Sequence, residues 1–366
     1  MNEKFENKLP SHDAFGMGEI SNSDLTEKMS QWFNRFAEQT SGSPMYCFLS
    51  KEISKSVELL NLACKSDVSQ PAPNLFLAAV NYLVTKNPTE ELAKYYPNLG
   101  GSFEASQKMF TVFASFCKKY ENQIINLIKA RLVQTNEVQR CALLLPGLSV
   151  VSKLAGSPKI ALIDVGASGG LNLLMDQAYV KYSNGMQTGP MNSSLQLECE
   201  LKGATLHGFK NVVRIASRIG IDLNPVDLLN PNEREWAMAL LWPDQPERLK
   251  RFKTALQLLS NTKILLHEGN ANAVLPNVFT KIPHDQQICV MHSFTLNQFS
   301  ESDRKNFDHI LEMASVNRSI WRMSLEWIGT ENPELVITEY SSGKRNNSKK
   351  LAECHGHGEW IRWMSI

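Results

Sequence analysis

A chain of 366 residues, 43% hydrophobic and 20% charged, can bury one large core or two ordinary ones, which excludes wholesale disorder. Its formal charge of +1 lacks the basic excess of a nucleic-acid binder, and no window approaches the ~18 uninterrupted apolar residues of a membrane span. Seven scattered cysteines without a Cys-x-x-Cys pair argue against a zinc site or a disulfide framework, and for reduced, mostly buried thiols in a cytoplasmic protein.

Met1 to Pro10 is polar and lacks the apolar stretch of a signal peptide, and residues 1–22 read as a loose arm. Helical periodicity begins after them. Leu25, Met29, Trp32, Phe33 and Phe36 share one apolar face, and Ile53 to Leu62 repeats the pattern. Pro71 and Pro73 punctuate before Leu75 to Val84. After a turn-rich stretch from Asn87 to Ser102, helices resume with Met109, Phe110, Phe113, Phe116 and Cys117, then Ile124, Ile125, Ile128 and Leu132. Residues 23–133 are therefore expected to form an all-helical domain whose aromatic stripe is core packing.

From about residue 158 the pattern changes. Lys159 to Val165 is a short β-prone run ending in an acid and glycines. Asn211 to Ile221, Lys263 to His267, Gln287 to His292 and Glu334 to Glu339 are further runs, separated by helix-like stretches. Strands alternating with helices predict an α/β domain with a mostly parallel sheet over residues 134–366. Lys344, Arg345, Lys349 and Lys350, set among Ser, Gly and Asn, read as a solvated loop.

The segment ALIDVGASGGLNLLMD, Ala161 to Asp176, reads as a buried strand, a turn of small residues and an amphipathic helix. Glycines let the backbone approach a ligand and adopt positive φ, and the carboxyl ends of strands are where open α/β sheets bind ligands. Asp222 ends a second strand, where an acid can meet ribose hydroxyls. A third strand leads into Glu268-Gly269-Asn270-Ala271, and a fourth delivers His292, Ser293 and Phe294 to the same rim. Asp222 lies 58 positions after Asp164, against about 20 in a compact dinucleotide unit, so an insertion at about 177–211 is expected, as a lid or an inert hairpin.

Five stretches then carry a resemblance: QTNEVQRCALLLPGL at 134–148, DVGASGGLNLLMD, RIGIDLNPVD at 218–227, LWPDQPERLKR at 241–251 and CHGHGEWIRW at 354–363. In this order they resemble a bacterial family known as a domain of unknown function, similar in fold to S-adenosylmethionine-dependent methyltransferases. The family pattern has Glu at Asp164, Ala at Gly169 and Asp at Asn270. The resemblance implies a methyltransferase-like (Rossmann-like) fold and S-adenosylmethionine as cofactor. Asp164, Gly166, Ser168, Gly169, Asn172, Asp222 and Asn270 would bind it, and the acceptor would be a small molecule rather than nucleic acid or membrane.

On the acceptor side, Gln134 to Glu137 can reach a substrate or cap a helix, with Glu137 paired to Arg140. His292, Glu137 and Asn136 are the candidate catalytic residues, His292 as general base. Trp242-Pro243-Asp244 is expected to cap a helix and pack a seam. His355 and His357 share a strand face, but two histidines seldom hold a metal alone. The alternatives are a metal-dependent hydrolase using His355 and His357 on the same scaffold, or a non-catalytic ligand-binding protein.

Overall fold

The computed structural model describes residues 22–364 except 41, 68, 103, 158 and 205–212. The arm expected at 1–22 lies outside the described residues, save Asn22, which opens the first helix. The chain divides into two compact units, Met1–Thr135 with Asn230–Lys250, and Asn136–Leu229 with Arg251–Ile366.

The apolar periodicity of the first unit becomes helices α1 (Asn22–Gln39), α2 (Pro44–Ile53), α3 (Val57–Ala63), α4 (Ala72–Lys86), α5 (Gln107–Lys119) and α6 (Glu121–Ala130). Ser43, Ser56 and Ser106 start α2, α3 and α5 by accepting an N–H of the first turn. Phe33, Phe76 and Phe113 meet edge to face in the core. Helix α7 (Cys141–Leu154) belongs to the second unit, but α8 (Pro231–Ala239) returns to the first.

Trp236 of α8 buries in the helical core and donates its Nε1–H to Leu132 O at 2.9 Å. Asn81 Nδ2 donates to Ala239 O and Leu241 O, at 3.0 and 3.1 Å. Asp244 accepts Ser43 Oγ–H at 2.6 Å and Met45 N–H at 3.0 Å, so the Trp-Pro-Asp segment caps α2. Residues 230–250, read from sequence as part of the α/β domain, thus fold with the helices, because Trp236, Leu240 and Trp242 bury against that core.

The described residues of the second unit hold eleven strands: β1 (Lys159–Val165), β2 (Tyr179–Tyr182), β3 (Gln187–Thr188), β4 (Gln196–Gly203), β5 (Arg214–Asp222), β6 (Leu265–Glu268), β7 (Gln287–Ser293), β8 (Ile320–Glu326), β9 (Glu334–Ser341), β10 (Lys344–Cys354) and β11 (Trp360–Trp363). They form one mostly parallel sheet in the order β3-β2-β4-β11-β10-β9-β8-β7-β1-β5-β6. The five strands β6-β5-β1-β7-β8 are all parallel. In chain order they run third, second, first, fourth, fifth, the doubly wound arrangement. The order reverses between β1 and β7, so the carboxyl ends of these two strands flank the switch point.

Beyond its exposed Lys159, every residue of β1 is buried, as a central parallel strand covered on both faces must be. Ala161, Ile163 and Val165 pack with α10 (Ala271–Thr280) and α11 (Glu301–Ala314). Helix α7 lies against β8 and β9, where Gly147 makes room: a Cβ there would stand 2.8 Å from Met323 Sδ. Helix α9 (Pro246–Ser260) spans the boundary between the units.

Two expectations are revised. The insertion at 177–211, as far as it is described, is neither lid nor inert hairpin. Its strands β2, β3 and β4 extend the sheet, β4 pairing parallel to β11. The basic run at 344–350 is solvated but belongs to strand β10, whose first residues are exposed and paired to β9. No helix among the described residues is long and apolar enough to cross a membrane, and all seven cysteines are unpaired, five of them buried.

Candidate functional site at the switch point

The loop after β1 is held by its neighbours. Gly166 and Gly170 have φ of +78° and +75°, and Ser168 sits at +50°. Only three non-glycine residues among the described ones have positive φ, and two of them, Ser168 and Phe294, lie in the loops after β1 and β7. Strained backbone of this kind concentrates at binding sites. A Cβ on Gly166 would fall 2.2 Å from Thr295 Oγ1, so these two loops touch across the switch point.

Asp222 ties the β5 end to this loop. Its Oδ2 accepts Ser168 N–H and its Oδ1 accepts Asn224 N–H, at 2.8 and 2.9 Å. Asn136 closes the other side, accepting Leu171 N–H at 2.5 Å and donating to Ala167 O at 3.3 Å. The segment after the loop, Leu171–Gln177, is a seven-residue 3-10 helix rather than an amphipathic α-helix. The N–H groups of Ser168 and Leu171 are thus spent on Asp222 and Asn136 rather than presented to a ligand.

Asp164 differs from its surroundings. It is 2% exposed and makes no hydrogen bond to any described residue. Burial, then the charge of Asp222, push its carboxyl up to about 8, against a smaller opposing pull from Arg140.

Arg140, whose charge acts on Asp164, gathers a second set of residues. Its guanidinium lies 4.3 Å over the Phe294 ring, and its Nε–H donates to Gly356 O at 3.0 Å. Phe294 meets Trp327 edge on, with ring centroids 5.1 Å apart. Gln139 Nε2 donates to Glu198 O and Gly358 O, at 2.6 and 3.3 Å. Glu137 is buried and its Oε1 accepts Gln139 N–H at 3.1 Å. The structure therefore joins the 136–140 and 355–358 segments, far apart in sequence, at one end of the sheet. Gln134 and Thr135 group with the helical unit instead.

His292 is not where a general base must be. It is fully buried, with Nδ1 2.8 Å from Glu326 Oε1 and Nε2 accepting Arg322 Nε–H at 2.9 Å. Its ring stands edge on to Phe307, in the core on the α11 side of the sheet. Burial lowers its pKa, and with both nitrogens engaged it cannot take a proton from an acceptor. What His292 does is structural. Glu326 Oε1 also accepts the N–H groups of Thr295 and Leu296, so the pair holds the loop against Gly166. For Glu326, burial works upward, but bonds from His292 and these N–H groups leave it below the usual range.

The remaining expected cofactor residues divide. Asn172 is buried and accepts the Cys141 thiol at 3.8 Å, which secures the loop to α7. Asn270 is the N-cap of α10, its Oδ1 accepting Asn272 N–H at 2.9 Å. Gly169 faces Leu228, whose Cδ1 would be 2.3 Å from an added Cβ. Arg140 and Phe294, expected beside the acceptor and at the rim, do meet there, whereas Thr295 and Trp327 carry no signal in the sequence, since only the fold brings them to the rim. No group of three or more His, Cys, Asp or Glu placed to hold a metal occurs among the described residues.

These features define a doubly wound α/β protein whose sheet carries at its switch point a buried acid with no hydrogen-bond partner among the described residues. The chain belongs to the bacterial family described as "Uncharacterized protein conserved in bacteria (DUF2332)", whose model matches residues 30–363. No curated protein and no solved structure matches the chain.

Proposed function

We propose that the second unit is an S-adenosylmethionine-dependent methyltransferase acting on a small molecule. The observation that carries this reading is Asp164, a buried acid that lacks a hydrogen-bond donor among the described residues, at the carboxyl end of the first strand. Beside it the strand order reverses, which is where doubly wound sheets bind nucleotide-like ligands.

The residues fit the cofactor. Asp164 suits its ammonium or sulfonium charge. Asp222, ending the second parallel strand, suits the ribose hydroxyls, and each carboxylate oxygen can accept more than one hydrogen bond. The turn Glu268 to Ala271 after the third strand would flank the adenine. When bound, the cofactor would supply an electrophilic methyl group. The protein's part is to hold the loop open through Asn136, Asp222 and Thr295, and to orient the acceptor beside Arg140 and Phe294. The net charge of +1 favours a small acceptor over nucleic acid.

Titration calorimetry with S-adenosylmethionine and S-adenosylhomocysteine tests the reading. Saturable binding at micromolar to low millimolar ligand is expected. Absence of heat at millimolar concentration of both contradicts it.

A further inference from the structure

One pair of side chains at this rim has the geometry of a proton acceptor. His357 Nδ1 lies 3.8 Å from Glu137 Oε2. Glu137 is 4% exposed and its other oxygen is fixed by Gln139 N–H, whereas His357 is 57% exposed. The carboxylate is therefore rigid and inside, and the imidazole is outside on top of it.

The placement of His357 is built in. Two bonds clasp its loop to the turn that carries Glu137, Gln139 Nε2 to Gly358 O and Arg140 Nε to Gly356 O, and Gln139 Nε2 also donates to Glu198 O of the neighbouring strand β4. Gly358 has φ +85°, and a Cβ there would lie 2.5 Å from Gln139 O, so only glycine lets the two backbones approach this closely. The same turn carries Asn136, which closes the glycine loop. His357 is thus tied through neighbouring residues to the loop that follows Asp164. Its Nε2 makes no hydrogen bond to any described residue.

We propose that Glu137 and His357 form the general base of this site, acting on an acceptor that bears an ionisable O–H or N–H. This assignment rests on the methyltransferase reading above. The acceptor's O–H or N–H bond breaks with its electron pair staying on the acceptor, and the proton passes to Nε2 of His357. The imidazolium so formed pairs with the Glu137 carboxylate and later returns the proton to solvent. At 3.8 Å the contact is electrostatic, and a closure of about 1 Å makes it a hydrogen bond, as often happens when a catalytic site fills.

The arrangement fixes a tautomer. A carboxylate at Nδ1 holds the neutral ring as Nδ1–H, leaving Nε2 as the lone-pair nitrogen. Long-range 1H–15N spectra of the full-length protein, with His357 assigned by its loss in His357→Gln, read this directly without cofactor or acceptor. Nδ1–H is expected in the wild type and Nε2–H in Glu137→Gln. Nε2–H in the wild type, or identical spectra in the two proteins, overturns the pair.

The second arm follows radiolabelled methyl from S-adenosylmethionine into a deproteinised bacterial extract. His357→Gln should keep S-adenosylhomocysteine affinity within twofold while label transfer falls by about 100-fold or more. Transfer at the wild-type rate overturns the assignment. A wild type that binds neither ligand overturns the methyltransferase reading and with it the role assigned to the pair, while the spectra still decide its geometry.

Discussion

Asp164 and Asp222 end adjacent parallel strands, and their environments are opposite. Asp222 accepts the N–H groups of Ser168 and Asn224, while Asp164 accepts no hydrogen bond from a described residue. Burying an acid this way costs the fold free energy, and the proposed cofactor contact at Asp164 would offset that cost.

The first prediction concerns stability against pH. The ordinary value for Asp164 is 3.8 and burial pushes it up to about 8 in the folded protein. Between these values the unfolded chain has lost the proton that the folded chain keeps. Its contribution therefore makes stability fall as pH rises from about 4 to 8, by at most about 1.4 kcal/mol per pH unit. Asp164→Asn removes that slope. Urea midpoints should place the variant above wild type at pH 7–8, with the advantage vanishing toward pH 4. Parallel curves for the two proteins contradict the account.

The second concerns the contact across the switch point. Gly166→Ala meets Thr295 and also forces an L-residue to φ +78°. A loss of about 2–4 kcal/mol is expected from the clash and the strain together. Thr295→Ala removes the nearest two atoms, so in the double variant about 1 kcal/mol of strain should remain. Additive losses in a double-mutant cycle by urea unfolding would show that the two residues do not touch.

Third, Glu326→Ala should destabilise by about 3 kcal/mol, because it strands the donors of His292, Thr295 and Leu296 in a buried place. It should also weaken cofactor binding, since the Thr295 loop abuts Gly166. Hydrogen exchange at Thr295 and Leu296 reads the loss of both bonds. Unchanged protection of these two amides would separate Glu326 from the loop.

Much of this architecture is readable in the sequence, and the exceptions have physical reasons. Short apolar runs bounded by turn residues mark β1, β7 and β9 because central strands are buried on both faces. β8 passes unnoticed, since Arg322 and Ser324 interrupt its apolar character, and Arg322 is charged because it must reach His292 and Asp308. β10 hides behind its lysines, which face solvent. His292 looked like a base because its strand end points to the rim, but its side chain turns into the core. Glu137 and His357 are each visible as polar residues. Their pairing is not, because it is made by the clasps of Gln139 to Gly358 and Arg140 to Gly356, between segments more than 200 residues apart.

Asn270 supplies a fourth prediction. As the N-cap of α10, its exchange to Asp should be neutral for stability within about 0.5 kcal/mol, since both residues cap well, while Asn270→Ala should cost about 1 kcal/mol. Thermal unfolding checks both. Equal stability of all three proteins would deny the cap and leave ligand contact as its role.

The most direct test of the central claim is S-adenosylmethionine titrated into wild type and Asp164→Asn at pH 7, in two buffers of different ionisation heat. A cationic ligand beside Asp164 must ionise a carboxyl whose pKa in the free protein is about 8. The account predicts saturable binding with release of close to one proton per site, and loss of both the proton and at least about tenfold in affinity in Asp164→Asn. Binding without proton release, equal affinity in the two proteins, or no binding at millimolar ligand would contradict it.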